Sequence, residues 1–240
     1  MKIRGDRECR SCGARWSYYD TGSIACPDCG SVHSVGVDER TEHTDAPVSL
    51  DLTPVRNRID EAPLDDVASA AAETCREYTR KRGFIDTGTL KPLDETYVAA
   101  VELQYVASDV ANEMRPSDDA ELYFLDLLGG ADDGDRPGAD EVPTELRSAF
   151  GLAMATAVER YQSDVRQYLD DHPNEQGRQL SGRIRDHRKR VEALDGDVDP
   201  ANANRLLHAA RDLGRFVGEG DESAFVTADN WLSGLDGDAL

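Results

Sequence analysis

The sequence predicts a mainly α-helical protein in which a small N-terminal β ribbon precedes a multi-helix bundle. Two observations carry this prediction. Four of the five cysteines fall within 21 residues, among short segments rich in strand- and turn-forming residues. From Leu64 onward, apolar residues recur every three or four positions, the period of a helix with one buried face. We therefore expect a ribbon over residues 1–45, an extended linker over 46–62 and an acidic helical bundle over 63–240.

The four clustered cysteines form two CxxC pairs, Cys9 with Cys12 and Cys26 with Cys29, and 13 residues separate the pairs. This is the spacing of a four-thiolate zinc site. A glycine follows each pair and relieves the steric cost of a positive φ angle there. The sequence therefore predicts one structural Zn²⁺ on these four residues. Because four thiolates leave no coordination position for water, we do not expect the ion to be catalytic.

Two other states of these cysteines stay open. The CxxCG and CPxCG knuckles also resemble those of rubredoxins, in which four thiolates bind iron, although rubredoxins usually have a longer stretch between the knuckles. Disulfides would require an oxidising compartment. Residues 1–6 lack the apolar segment of a secretory signal, so we expect a cytoplasmic protein with reduced cysteines.

The aromatic residues of the ribbon are candidates for its core and for a binding surface. The predicted elements are a strand over 15–19, a turn over 20–23 and a further strand over 32–37. We expect Trp16 in the core. Tyr18 and Tyr19 would point to opposite faces of a regular strand, so one of them should be exposed and able to stack on a nucleic-acid base. His33 is expected to be an exposed residue and not a ligand, since four thiolates are already present.

Seven helical segments are predicted in the bundle, over residues 64–78, 93–114, 121–128, 146–169, 175–194, 200–217 and 222–235. The second is apolar on most sides and should be the central helix. Ser117 and Asp199 are expected to cap the helices that follow them. Residues 129–138 read as a low-complexity acidic loop. Cys75 lies on an apolar helix face, which indicates a buried residue and not a nucleophile.

The charge composition is unusual in kind as well as in size. The net charge is -21, from 48 acidic and 27 basic residues, and the cations comprise 23 Arg and only 4 Lys, whereas Asp outnumbers Glu by 31 to 17. Replacing Lys by Arg or Asp reduces exposed apolar surface and keeps a protein hydrated in concentrated salt, so we predict a halophilic cytoplasm. So acidic a chain should repel phosphates overall. No apolar run is long enough to predict a membrane span.

One basic segment interrupts this acidity. Six of the residues between Arg178 and Arg190 are cations. Arg183, Arg185, Arg188 and Lys189 form a candidate interaction surface, because the helical period leaves other positions for the core. The alternative is that these side chains are solvated or paired with acidic neighbours within the protein.

No motif of an enzyme is found. Phosphate-binding, dinucleotide-binding, nucleophile-elbow and HExxH patterns are absent, and no two of the five histidines are spaced three or four residues apart. We therefore predict a protein that is not an enzyme.

The ribbon carries the one resemblance to a known family. Cys-Arg-Ser-Cys-Gly-Ala-Arg-Trp followed by Cys-Pro-Asp-Cys-Gly resembles the zinc ribbon of transcription factor B, and with its composition the chain is similar to uncharacterised haloarchaeal proteins that contain a zinc ribbon. The resemblance implies that Cys9, Cys12, Cys26 and Cys29 are the zinc ligands. In factor B the ribbon docks on RNA polymerase and two cyclin-like repeats bind promoter DNA. This chain departs from that pattern: its proline lies in the second knuckle, the stretch between knuckles is short, and residues 63–240 show no repeat. A general initiation factor is therefore not predicted.

Two functions remain as hypotheses. The first is a non-enzymatic adaptor in transcription or RNA metabolism, whose ribbon contacts a protein or nucleic-acid partner. A protein partner is favoured, and a nucleic acid is disfavoured by the overall charge. The second is a helical domain that binds a small molecule or performs a reaction, with the ribbon as a structural staple.

Overall fold

The computed structural model, which describes residues 2–237, confirms the predicted fold class: short strands form small sheets in the N-terminal region, and helices form most of the rest. The N-terminal elements are β1 (Lys2–Ile3), β2 (Asp6–Cys9), β3 (Arg15–Ser17), the one-turn helix α1 (Tyr18–Thr21), β4 (Ser34–Gly36) and β5 (Thr41–Glu42). Strand β2 is the middle of a three-stranded antiparallel sheet, between β3 and β4, and places Arg7 opposite both Trp16 and Gly36. Strand β5 returns to pair with β1.

The strand predicted over 15–19 is shorter than expected. It ends at Ser17, whose hydroxyl accepts a hydrogen bond from the Asp20 N–H and so starts α1. Tyr18 and Tyr19 consequently lie on a helical turn, and both are half-buried. The expectation that they point to opposite faces of a strand is wrong, because a capping residue precedes them.

The remaining elements form the helical body. They are α2 (Thr53–Arg56), α3 (Leu64–Lys81), β6 (Ile85–Asp86), β7 (Thr89–Leu90), α4 (Glu95–Asn112), α5 (Asp118–Gly130), a 3-10 turn (Thr144–Leu146), α6 (Arg147–Asp171), α7 (Glu175–Ala193), α8 (Pro200–Gly214), a π turn (Arg215–Glu219) and α9 (Glu222–Gly237). The seven longer helices match the predicted segments. Among residues 2–237, no helix has the length and apolar composition that a bilayer crossing needs.

Helix α4 is the centre of the body, as its composition predicts. It packs against α3, α5 and α6, and ten of its residues are buried. The expected caps are also found: the side chains of Ser117 and Asp199 accept hydrogen bonds from the N–H groups of Ala120 and Ala201. Cys75 is fully buried against this helix layer, which confirms it as a core residue, and burial raises the pKa of its thiol to about 12.

A β-hairpin between α3 and α4 was not predicted. Thr87 and Gly88 connect β6 to β7, and both have positive φ angles, 51° and 79°. A two-residue loop of this conformation is a type I′ turn, which matches the twist of a hairpin. The strands are only two residues long, too short for an alternating pattern, so the sole sequence signal was Gly88.

The connector over 46–62 is folded, where the sequence predicts an extended linker. It contains α2, and its apolar residues Leu50, Leu52 and Val55 are buried in the core of the body. The prolines interrupt the helical period, yet Pro54 is tolerated because it lies in the first turn of α2.

One ion pair fixes the connector to the acidic loop. The two guanidinium nitrogens of Arg56 lie 2.7 and 2.8 Å from the two carboxylate oxygens of Asp132, and the Leu52 N–H donates to the same carboxylate at 3.1 Å. Fork-shaped pairs of this kind are among the stronger charge-assisted contacts. The hydrogen bond from Arg56 lowers the pKa of Asp132.

We expect Asp132→Asn to lower the free energy of unfolding by about 2 kcal/mol at neutral pH. Because the folded pKa of Asp132 lies below its unfolded value, the stabilisation is present above about pH 4 and is lost as the pH falls through the folded pKa. The difference between variant and wild type should therefore shrink in acid. Denaturant unfolding at neutral and acidic pH measures it. The exposed neighbour Asp133 supplies the matched control Asp133→Asn, and an Asp132→Asn effect of equal size at both pH values would contradict the assignment.

Candidate metal centre

The four clustered cysteines meet at one end of the ribbon sheet. Cys9 ends β2, Cys12 lies in the turn to β3, and the second pair lies in the loop between α1 and β4. Their Sγ atoms all lie within 4.8 Å of one another. The shortest separations are 3.7 Å between Cys9 and Cys29 and 3.6 Å between Cys12 and Cys26. The spacing that predicted the cluster is therefore realised in the fold.

The sulfur positions fit a tetrahedral metal ion. A metal–sulfur bond of about 2.3 Å requires sulfur–sulfur separations of about 3.8 Å in a regular tetrahedron. The two distances given above lie close to this value, the other pairs lie within 4.8 Å, and the donor set consists of sulfur alone. The four cysteines can therefore hold one metal ion of the class that four thiolates bind.

Both cysteine pairs are shaped by the same backbone turn. The Gly13 N–H donates to the Cys9 carbonyl at 3.0 Å, and the Gly30 N–H donates to the Cys26 carbonyl at 2.9 Å. Gly13 and Gly30 have φ angles of 78° and 70°, which L side chains rarely adopt. The glycines expected after each pair are thus required by the conformation that brings the sulfurs together.

The electrostatics of the cluster favour a bound cation. A backbone hydrogen bond from Cys12, with a second from Ser11, lowers the pKa of Cys9 to about 6. The Ala14 N–H acts on Cys12 in the same direction, but the crowding thiols of Cys29 and Cys26 raise the pKa of Cys12 to about 12. The thiolate form is therefore favoured at Cys9 and disfavoured at Cys12, and a cation among the sulfurs would favour it at both.

The ribbon has a very small core of its own. Trp16 is buried against Cys9 and Cys26, and its indole N–H donates to the Ser23 carbonyl at 3.0 Å. This confirms Trp16 as a core residue. His33 is exposed and lies outside the sulfur cluster, also as expected. With so few buried residues, a metal ion held by the four cysteines would be the main source of stability for the cysteine loops.

The two tyrosines have different surroundings. Tyr19 faces the body side: its ring centroid lies 4.4 Å from that of His43, and its hydroxyl lies 2.6 Å from the Thr41 hydroxyl. Gly5 is needed at this point, because a Cβ atom there would overlap the Tyr19 ring. Tyr18 instead lines a groove on the ribbon surface, so it is the tyrosine of the two that a ligand can reach.

That groove was not predicted from the sequence. Its volume is about 420 Å³, and it is lined by Lys2, Arg4, Arg7, Arg40, Tyr18 and Ile24, together with Ile3 and Gly36. All the charged residues that line it are cations. Sequence reasoning missed it because Lys2 and Arg40 come together only when β5 pairs with β1.

The structure divides the candidate residues of the basic helix, α7. Arg183 pairs with Asp229 of α9, and Arg188 is buried and pairs with Glu159 and Glu192. These two side chains are therefore paired with acidic residues of the same protein. Arg188 was expected on the outer face, but α6 and α7 pack so that it lies between them.

The other two candidates remain at the surface. Arg185 forms an ion pair with its neighbour Asp186, at 3.5 Å, and Lys189 has no ion pair within residues 2–237. Arg185 lines a cleft between α6 and α7 that also contains Arg166, a residue outside the segment that the sequence singled out.

Comparison with known protein families matches residues 1–232 to DUF7117, a family of unknown function. The same sequence has no significant match among curated proteins or among solved structures.

We expect Cys26→Ser to abolish binding of one metal ion per chain and to unfold the cysteine loops, while the helical body keeps its helicity. Metal sites of this kind contribute about 10–16 kcal/mol in small zinc domains, more than the ribbon core can replace. Elemental analysis measures the bound metal, and circular dichroism in concentrated salt measures the helicity of the body. The control Cys75→Ala removes the buried cysteine of the body and should keep the metal. Full metal content in Cys26→Ser would contradict the four-sulfur site.

Proposed function

The chain belongs to the DUF7117 family, and we propose that it is a zinc-binding, non-enzymatic interaction protein whose ribbon takes a single-stranded nucleic acid in its cationic groove. The observation that carries the proposal is the groove itself, in which four cations surround a tyrosine. Zinc is the proposed ion because a closed set of four thiolates is typical of structural zinc, and iron is the alternative that metal analysis separates.

The charge of the groove differs from the charge of the protein. Residues 1–45 carry 6 cations and 8 anions, a net charge of -2, whereas the other residues have a net charge of -19. The acidity therefore belongs mainly to the helical body. A phosphate that approaches the ribbon meets Arg4 and Arg40, both exposed, and Arg40 has no ion pair within residues 2–237. Local attraction of phosphate is compatible with the overall negative charge.

Tyr18 and Ile24 add an apolar part to this groove. The Tyr18 N–H donates to the Gly5 carbonyl at 2.7 Å, so a rigid turn presents the ring. Ile24 is half exposed. Cations that follow a phosphate backbone beside an aromatic ring that stacks on bases are the usual arrangement for binding single strands. An acidic protein segment would pair with the cations but would gain little from the tyrosine ring. We therefore favour a nucleic acid as the partner, although the overall charge composition alone favours a protein.

The proposed salt-rich cytoplasm determines which contacts of the groove contribute most to nucleic-acid binding. The composition rich in Asp and Arg supports a salt-rich cytoplasm, where the Debye length is about 3 Å at 1 M. Each phosphate contact then contributes less, because the gain from counterion release falls as salt rises. Stacking on Tyr18 is less sensitive to salt and would supply much of the affinity that remains.

We expect a labelled oligothymidine to bind the zinc-loaded protein. A salt titration should distinguish the contribution of the groove arginines from that of Tyr18. Arg4→Ala with Arg40→Ala should lower the slope of log K against log salt by about 1.4, since each phosphate contact contributes about 0.7 for single strands. Tyr18→Ala should weaken binding about tenfold and leave the slope unchanged. Fluorescence anisotropy over a tenfold range of KCl measures both.

The control for this experiment is Arg15→Ala, which removes an exposed cation of the ribbon outside the groove, where it pairs with Glu8. It should leave both quantities near their wild-type values. Oligonucleotide binding that none of the groove variants changes would overturn the proposal. Binding of an acidic peptide by a protein that does not bind the oligonucleotide would also overturn it.

A further inference from the structure

A second cationic site lies in the helical body, between α6 and α7. The two helices leave a cleft of about 400 Å³, a size that accommodates a small ligand. Gln162 and Ser181 form part of its wall, and both are buried. The Gln162 amide donates to the Ser181 carbonyl at 2.8 Å and to its hydroxyl at 3.3 Å. These polar groups are therefore already oriented by each other before any ligand binds.

Four arginines line the cleft, against two carboxylates. The arginines are Arg166, Arg178, Arg185 and Arg188, and the carboxylates are Glu159 and Asp170. Among the lining residues the arginines therefore outnumber the carboxylates by two, although Glu192 and Asp186 pair with Arg188 and Arg185 from outside the lining, in a chain whose net charge is -21. Such a concentration of guanidinium groups, which bind phosphate through two parallel N–H groups, indicates an anionic ligand.

The arginines at the two ends of the cleft are largely compensated. Arg188 lies 3.3 Å from the Glu159 carboxylate and also pairs with Glu192. Arg178 donates to the Leu169 carbonyl at 2.9 Å and lies 3.7 Å from the Asp170 carboxylate.

The arginines between these ends are available to a ligand. Among the described residues 2–237, the ion-pair partner of Arg185 is its sequence neighbour Asp186, at 3.5 Å, and Arg166 has no ion-pair partner. Both side chains are exposed. Between them, a Cβ atom built on Gly182 would meet no atom within 4 Å, so the wall of the cleft is open at that residue.

The positions of the two cleft carboxylates limit the length of an anionic ligand that the cleft can bind. Glu159 and Asp170 lie 11 positions apart on α6, which corresponds to about 16 Å along the helix axis. A nucleic-acid strand running along the cleft would pass a carboxylate at each end, whereas a short anion would occupy only the arginine-rich middle. We propose that this cleft binds a small molecule bearing phosphate groups, held by Arg166 and Arg185. The site is separate from the ribbon groove and does not depend on it.

The test is isothermal titration of inorganic pyrophosphate into the full-length, metal-loaded protein. Gly182→Glu places a negative charge in the open part of the cleft and should weaken pyrophosphate binding at least tenfold. Gly182→Gln has the same size without the charge and should weaken it less. Both replace a helical glycine, so their thermal stability should equal or exceed that of wild type. Arg166→Ala and Arg185→Ala should each weaken binding about tenfold.

Two matched controls lie on the same helices. Arg160→Ala on α6 and Lys189→Ala on α7 remove exposed cations that do not line the cleft, and they should leave the affinity unchanged. Arg40→Ala in the ribbon groove should also leave it unchanged, which separates this site from the proposed function. Absence of binding at millimolar pyrophosphate, or equal losses in the cleft variants and the controls, would overturn the proposal. If an oligonucleotide bound more tightly than pyrophosphate, with the same dependence on Arg166 and Arg185, the assignment of a small ligand would be overturned.

Discussion

Helix α4 has to be covered on most of its sides, and the arrangement of the body follows from that requirement. Its apolar residues occupy most of its circumference, so α3, α5 and α6 each cover part of it. In its middle it also carries Glu102, which is completely buried. Burial raises the pKa of this carboxyl, and a buried charge is costly unless it is paired. The Tyr123 hydroxyl donates to it at 2.6 Å and Arg136 at 3.1 Å, while Arg136 also donates to Asn204 of α8. The acidic loop must therefore fold back onto the body to deliver Arg136.

Hydrogen bonds join the chain that leaves the ribbon to this body. The carboxylate of Asp164 in α6 accepts hydrogen bonds from the Thr44 hydroxyl and from the Phe84 N–H, both at 2.6 Å. The Thr44 N–H in turn donates to the Ile85 carbonyl at 2.9 Å. Such close approach leaves no room for a side chain at Gly83, where a Cβ atom would lie 2.5 Å from the Thr44 backbone. One carboxylate thus orients the chain leaving the ribbon and the hairpin before α4, so the groove of the ribbon has a defined position on the molecule.

Features that depend on neighbours in the sequence could be predicted, and features that depend on distant segments could not. The sulfur cluster is encoded in two local turns and the helices in local periodicity, so both were found. The same periodicity could not decide which basic residues of α7 are exposed: Arg188 is buried and Arg185 is not, and the difference depends on where α6 packs. Arg136 was included in a low-complexity acidic loop, with no predicted partner, because Glu102 lies 34 residues away. Tyr18 and Tyr19 were placed on a strand because the sequence pattern gave no weight to the capping role of Ser17. The cationic groove and the cleft are each assembled from segments that pair only in the folded chain.

The C-terminal turn of α6 shows how the two cationic sites are related to helix electrostatics. The helix ends with Asp170 and Asp171 and has no basic residue in its last turn, so two negative charges lie at the negative end of the helix dipole. This local frustration costs a few tenths of a kcal/mol per charge at an exposed helix end, and it is relieved only by cations from elsewhere. Lys2 of the ribbon lies 2.7 Å from the Asp171 carboxylate, and Arg178 of α7 approaches Asp170. The isolated helix is thus unfavourably charged, and the assembled protein supplies the missing counter-charges from one residue of the groove and one residue of the cleft.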